Sequence, residues 1–119
     1  MKRILVVDDE DSLRALVVAE LQRHGYETIE ASNGLDAVDL ATKNPPDLII
    51  SDVMMDSGTG FMLQELLKDN PKTISIPIIL MTGLAMKAGA WGSNPDVDYL
   101  QKPFSEPELL KAVQHKLGA

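Results

Sequence analysis

A chain of 119 residues can fold as one domain with its own core, burying roughly two thirds of the surface its unfolded form exposes. It contains no cysteine, which excludes disulfides, thiolate metal centres and thiol catalysis and points to a reducing compartment. With 18 acidic and 11 basic side chains the formal charge is -7, which opposes direct contact with nucleic-acid phosphates or anionic membranes.

Met1-Lys2-Arg3 is a basic start, but Asp8 interrupts the apolar run Ile4–Val7 before it could form a signal peptide or a membrane span, so the expected location is cytoplasmic. That run, short and β-branched, predicts a first strand. Leu13, Leu16, Val17 and Leu21 recur at helical spacing behind it, and Gly25 can stop that helix. A second strand is predicted around Thr28-Ile29. Ala37, Val38 and Ala41 mark a second helix, capped by Asn33 and ended by Asn44-Pro45-Pro46. Leu48-Ile49-Ile50 predicts a third strand, and Leu63, Leu66 and Leu67 a third helix that ends at Asn70-Pro71. Ile78–Leu80 and a weaker Val97–Leu100 predict the fourth and fifth strands. Between them, Gly83 to Asp96 is short for a helix and holds Gly89, Gly92 and Asn94-Pro95, so the fourth helix is expected to be curtailed or mobile. Ser105 and Glu108 form a capping box for a last helix carrying Leu109, Leu110, Val113 and Leu117. No repeat, low-complexity tract or linker breaks the alternation, so residues 1–119 are expected to be one domain.

Strands apolar at every position, such as Leu48-Ile49-Ile50, imply burial on both faces, which in an alternating chain means a parallel sheet covered by helices. Right-handed crossovers then favour an α/β doubly wound five-stranded sheet in the order 2-1-3-4-5, a flavodoxin-like (βα)5 arrangement. Ligands in such sheets sit at the carboxyl ends of the strands, beside the switch point between strands 1 and 3.

That end collects chemistry. Asp8-Asp9 follow strand 1 and Asp52 follows the apolar core of strand 3. Carboxylates brought together repel, and the repulsion is relieved by a raised pKa or by a bound cation. Oxygen ligands select a hard ion, and a few ligands with room for water suit Mg²⁺ better than Ca²⁺. Strand 4 adds the Thr82 hydroxyl and strand 5 leads to the Lys102 ammonium. Metal, hydroxyl and lysine together describe a pocket for a phosphoryl group that an Asp52 oxygen accepts.

These residues resemble the response-regulator receiver domain of two-component signalling, in particular its chemotaxis members. The resemblance spans the chain through Val6-Val7-Asp8-Asp9-Glu10, Asp52-Val53-Met54-Met55 with Gly60-Phe61, Met81-Thr82-Gly83, and Asp98-Tyr99-Leu100 leading to Lys102-Pro103-Phe104. It implies Asp52 as phosphoacceptor, Asp9 as a direct Mg²⁺ ligand, Asp8 acting through metal-bound water and the Met54 backbone carbonyl as a further ligand, with Mn²⁺ as a substitute ion. Thr82 and Lys102 would hold the phosphoryl oxygens, Tyr99 would be the switch aromatic, and Lys102-Pro103 would be a cis peptide. The implied phosphodonor is a phosphohistidine on a sensor histidine kinase or a phosphotransfer protein. The chain would catalyse the transfer itself and then slowly hydrolyse the product, without turnover of a separate substrate.

Three places depart from the family pattern: Asp56 stands where proline is common, Gly83 where alanine often follows the threonine, and the 83–96 segment is unusual throughout. Asp56 would add negative charge near the metal. Gly83 would open the phosphoryl group to water. The output surface, which family members commonly build on the fourth helix and fifth strand, is therefore the least defined part, although a homodimer through the face of the fourth and fifth helices fits the pattern. Trp91 reads as packing or as a partner contact, Met54, Met55, Met62 and Met81 as core filling, and His24 and His115 as late-helix cations. The rival functions are a degenerate receiver that binds proteins without phosphorylation, against which the retention of Asp8, Asp9, Asp52, Thr82 and Lys102 argues, and a phosphatase, which would place an acid where Met54 stands. A flavin carrier would need a phosphate loop in place of the acidic run Asp8-Asp9-Glu10-Asp11. The chain ends soon after Leu117, so a stand-alone regulator and a receiver serving a missing effector domain both fit, and the output partner is not named.

Overall fold

The structure, a computed structural model, describes residues 2–52, 54–55, 58–82, 97–102 and 104–117. Five strands, β1 (Arg3–Val7), β2 (Glu27–Ala31), β3 (Leu48–Asp52), β4 (Ile78–Thr82) and β5 (Val97–Gln101), form one sheet in the order 2-1-3-4-5. Every pairing in it is parallel. The described helices are α1 (Asp11–Arg23), α2 (Gly34–Lys43), α3 (Gly60–Lys68) and α4 (Glu106–Leu117). Of the five helices expected from the sequence, α4 is the last; the segment expected to hold the fourth lies outside the described residues, as do Asp56, Trp91 and Pro103.

Strand alternation divides the core in two. Leu5, Val7, Ile49, Ile78 and Leu80 pack with Ala37 and Ala41 of α2 and Leu63 and Leu67 of α3. Their neighbours Ile4, Val6, Leu48, Ile50, Ile79 and Met81 point the other way, onto Val17, Val18 and Leu21 of α1 and Leu109 and Val113 of α4. Every residue of β3 and β4 is buried, which is why those strands read as unbroken apolar runs. The chain leaves β1 for β2 on one side and returns across it to β3 on the other, so the strand order reverses between β1 and β3.

The helix ends follow the sequence signals. Gly25, at φ +88°, closes α1: its N–H donates to the Gln22 carbonyl at 3.1 Å while the Tyr26 N–H reaches the Leu21 carbonyl at 3.2 Å. This is the paired-bond stop that a left-handed glycine makes. The Asn33 side chain accepts from the Asp36 N–H at 2.8 Å at the start of α2. Before α4, the Glu108 N–H donates to Ser105 Oγ at 3.3 Å and the Ser105 N–H to Glu108 Oε1 at 3.1 Å, the reciprocal capping box.

Two details differ from the periodicity. Leu16 and Leu66 are 54% and 41% exposed, and Val18 takes a core place on α1, because each helix lies on the sheet along a narrower stripe than its apolar residues mark. An antiparallel pairing of Met54–Met55 with Gly58–Thr59 follows β3 directly, too short to leave a pattern in sequence.

Candidate functional site

The carboxyl ends of β1, β3, β4 and β5 bring the expected residues together. Asp8 is the first residue beyond β1 and is fully buried, Asp52 is the last of β3 and nearly so, and Asp9 is partly exposed. Each offers a carboxylate oxygen, and these three atoms lie within 4.8 Å of one another. Lys102, one residue past β5, brings its Nζ to 3.2 Å from Asp52 Oδ1 and 3.9 Å from Asp8 Oδ2.

Alternation explains the grouping. Asp8, Asp52 and Lys102 continue the parity of Val6, Ile50 and Leu100, which face α1 and α4, so all three side chains converge above one face of the sheet. Thr82 has the parity of Leu80 and therefore starts from the opposite face, shared with Tyr99, which is paired in register with Leu80 and half-buried against the α2–α3 core. Thr82 is itself buried, and its carbonyl accepts from the Lys102 N–H at 2.6 Å, so the main chains that carry the hydroxyl and the ammonium are tied together. Met54 lies two residues beyond Asp52, paired with Thr59.

Asp8 is the electrostatically costly member. Its Oδ1 accepts from the Glu10 N–H at 2.9 Å, whereas its Oδ2 is buried and has no hydrogen-bond partner among the described residues. Burial pushes its carboxyl above the ordinary range; the Glu10 N–H opposes that shift, the Asp52 charge adds to it, Lys102 opposes it and Asp9 adds to it. A buried acceptor without a donor, beside two further carboxylates, fits a hard divalent cation. The donor set is all oxygen, which suits Mg²⁺.

One residue at this site was missed in the sequence: Arg14 donates from Nη1 to the carbonyl oxygen of Asp8 at 2.7 Å. Its signal was an arginine three residues beyond the acidic Asp11 at the start of a helix, a spacing that also serves an ordinary surface pair.

Residues 4–114 match the response regulator receiver domain. The protein PilH of Pseudomonas aeruginosa is 36% identical over 120 residues, covering 99% of this chain and 99% of that protein. The chemotaxis protein CheY4 of Vibrio cholerae, at 34% identity, has a solved structure with a TM-score of 0.90 over 98% of this chain and 99% of its own. A receiver domain of a sensor histidine kinase from Pseudomonas aeruginosa, 25% identical and with a TM-score of 0.88 over 99% of this chain and 98% of its own, holds a magnesium ion in its active-site cleft. A match over nearly the whole length, with the same strand order and an acidic cluster at the switch point, places this chain in the response regulator receiver domain family, the module of phosphorylation-dependent two-component signalling.

Proposed function

We propose that the chain is a signalling switch that accepts a phosphoryl group on an Asp52 carboxylate oxygen, from the phosphohistidine of a sensor histidine kinase or of a phosphotransfer protein. The observation that carries this reading is the Asp52 carboxylate held 3.2 Å from Lys102 Nζ and within 4.8 Å of the Asp8 and Asp9 oxygens. In the transfer the P–N bond to a donor imidazole protonated on its other nitrogen breaks, its electron pair staying on the ring, and a P–O bond to Asp52 forms, leaving a neutral imidazole and an acyl phosphate. Little covalent help is needed, since phosphoryl transfer depends mainly on alignment and charge stabilisation.

Asp9 and Asp52 would hold Mg²⁺ directly, with the Met54 carbonyl as a further ligand and Asp8 acting through metal-bound water; Mn²⁺ would substitute. When bound, the ion offsets the negative charge of the phosphoryl oxygens. Lys102 gives up its ion pair with Asp52 for a phosphoryl oxygen, and the Thr82 hydroxyl donates to another. Because Thr82 and Tyr99 share a sheet face and belong to paired strands, a shift of Thr82 toward the phosphoryl group opens room that the Tyr99 ring can enter. That motion carries the signal outward, toward the surface around β5. For nearly complete switching from a rare active state, the phosphoryl group must favour that state by about 5 kcal/mol.

Intact-mass measurement with Mg²⁺ and a small phosphodonor tests the reading. Wild type should gain one phosphoryl group and Asp52→Asn none. If neither gains it, the chain is a phosphorylation-independent binding module; if both do, Asp52 is not the main acceptor.

A further inference from the structure

Arg14 joins three segments that meet beneath the acidic pair. Its side chain is 16% exposed, and its guanidinium donates from Nη1 to the Asp8 carbonyl at 2.7 Å, from Nη2 to Asp11 Oδ1 at 2.7 Å and from Nε to Glu30 Oε1 at 3.2 Å. Asp11 opens α1 and Glu30 belongs to β2. The Asp8 carbonyl is part of the rigid peptide plane that also carries the Asp9 nitrogen, so its orientation sets where Asp9 begins. On the other side of Asp8, its N–H is fixed to the Ala31 carbonyl at 3.1 Å. The main chain of Asp8 is thus held on one side by β2 and on the other by Arg14.

We propose that Arg14 is a positioning residue for the cation site: by fixing the Asp8–Asp9 peptide it holds the two carboxylates in a convergent arrangement and raises affinity for Mg²⁺. The proposal rests on the reading of Asp8, Asp9 and Asp52 as ligands of a divalent cation. The three acceptors are met by three different nitrogens spread across a planar fork, whereas the donors of a lysine ammonium radiate from one nitrogen and replace the charge without that reach. The direction of the effect separates positioning from charge. A guanidinium this close repels a cation, so through-space electrostatics alone makes loss of Arg14 tighten Mg²⁺ binding, whereas loss of positioning weakens it.

Calorimetric Mg²⁺ titration of wild type, Arg14→Met, Arg14→Lys and a remote core variant, Val113→Ala, tests this. Arg14→Met should weaken binding by about 10- to 100-fold, the range seen when a residue orienting a metal ligand is lost. Arg14→Lys should recover part of it. Val113→Ala should melt earlier yet bind as wild type does, which separates positioning from general destabilisation. In the metal-free protein, hydrogen exchange of the Glu10 amide, bonded to Asp8 Oδ1, should quicken in Arg14→Met. Wild-type or tighter binding by Arg14→Met overturns the proposal while leaving the cation site standing. Failure of wild type itself to bind Mg²⁺ overturns both. If Arg14→Met does not fold, Arg14→Lys and Arg14→Gln decide, since neither removes a negative charge: weaker binding in either supports the proposal, and wild-type or tighter binding in both overturns it.

Discussion

Asp8 is a side chain whose burial costs stability. Its carboxyl is displaced upward chiefly by burial, so the folded protein holds that proton more tightly than the unfolded chain does. A group of this kind contributes stability that is fully present below its unfolded pKa, about 3.9 for an aspartate, and is lost as pH rises through the higher folded value. Once ionised, the half-satisfied carboxylate therefore works against folding. Asp8→Asn keeps an acceptor for the Glu10 N–H and removes the charge. It should stabilise the metal-free protein by on the order of 1–2 kcal/mol at pH 7, with the difference from wild type shrinking as pH falls toward 4. Paired urea denaturation curves across that range check it; a difference that grows on acidification contradicts it. Lys102 faces the same cluster with the opposite sign, and its 3.2 Å contact with Asp52 would leave the ammonium in place for a phosphoryl oxygen in the proposed transfer.

At the level of elements, the turns place the site as firmly as the strands do. The stop at Gly25 turns the chain from α1 into β2, whose register with β1 sets Ala31 against Val7 and leaves the Ala31 carbonyl for the Asp8 N–H. A Cβ at Gly25 would meet nothing within 4 Å, so the cost of Gly25→Ala is the left-handed backbone alone. That cost is about 1–2 kcal/mol and should lower the urea midpoint with an unchanged slope. The capping box at Ser105 does comparable work for α4, which begins four residues after Lys102 and packs Leu109 and Val113 under the same face of the sheet.

For the whole molecule, function and stability meet at the switch point. Parallel strands reverse their order there, so their carboxyl ends leave a crevice, and three acids fill it. The charges of Asp52 and Asp9 add to the cost of ionising Asp8, and an ion bound only by the folded state would offset that cost. At an Mg²⁺ concentration 100 times its dissociation constant the gain is about 2.7 kcal/mol. For a domain of this size that raises the melting temperature by roughly 10 °C. Asp9→Asn should lose most of the increase, as thermal melts with and without Mg²⁺ will show.

Much of this was legible in the sequence because the signals are local and periodic. Continuous apolar runs required a sheet covered on both faces, Gly25, Asn33 and Ser105 marked helix ends, and acids just after two runs placed a site where such sheets bind ligands. Tertiary structure alone decided the rest. Whether Leu16 or Val18 entered the core depended on the angle at which α1 lies on the sheet. The contact of Lys102 with Asp8 and Asp52 depended on strand parity and register across four strands, and so did the sharing of one face by Thr82 and Tyr99. Arg14 was invisible as a site residue because its partner is a backbone carbonyl, a group every residue carries and no sequence pattern marks.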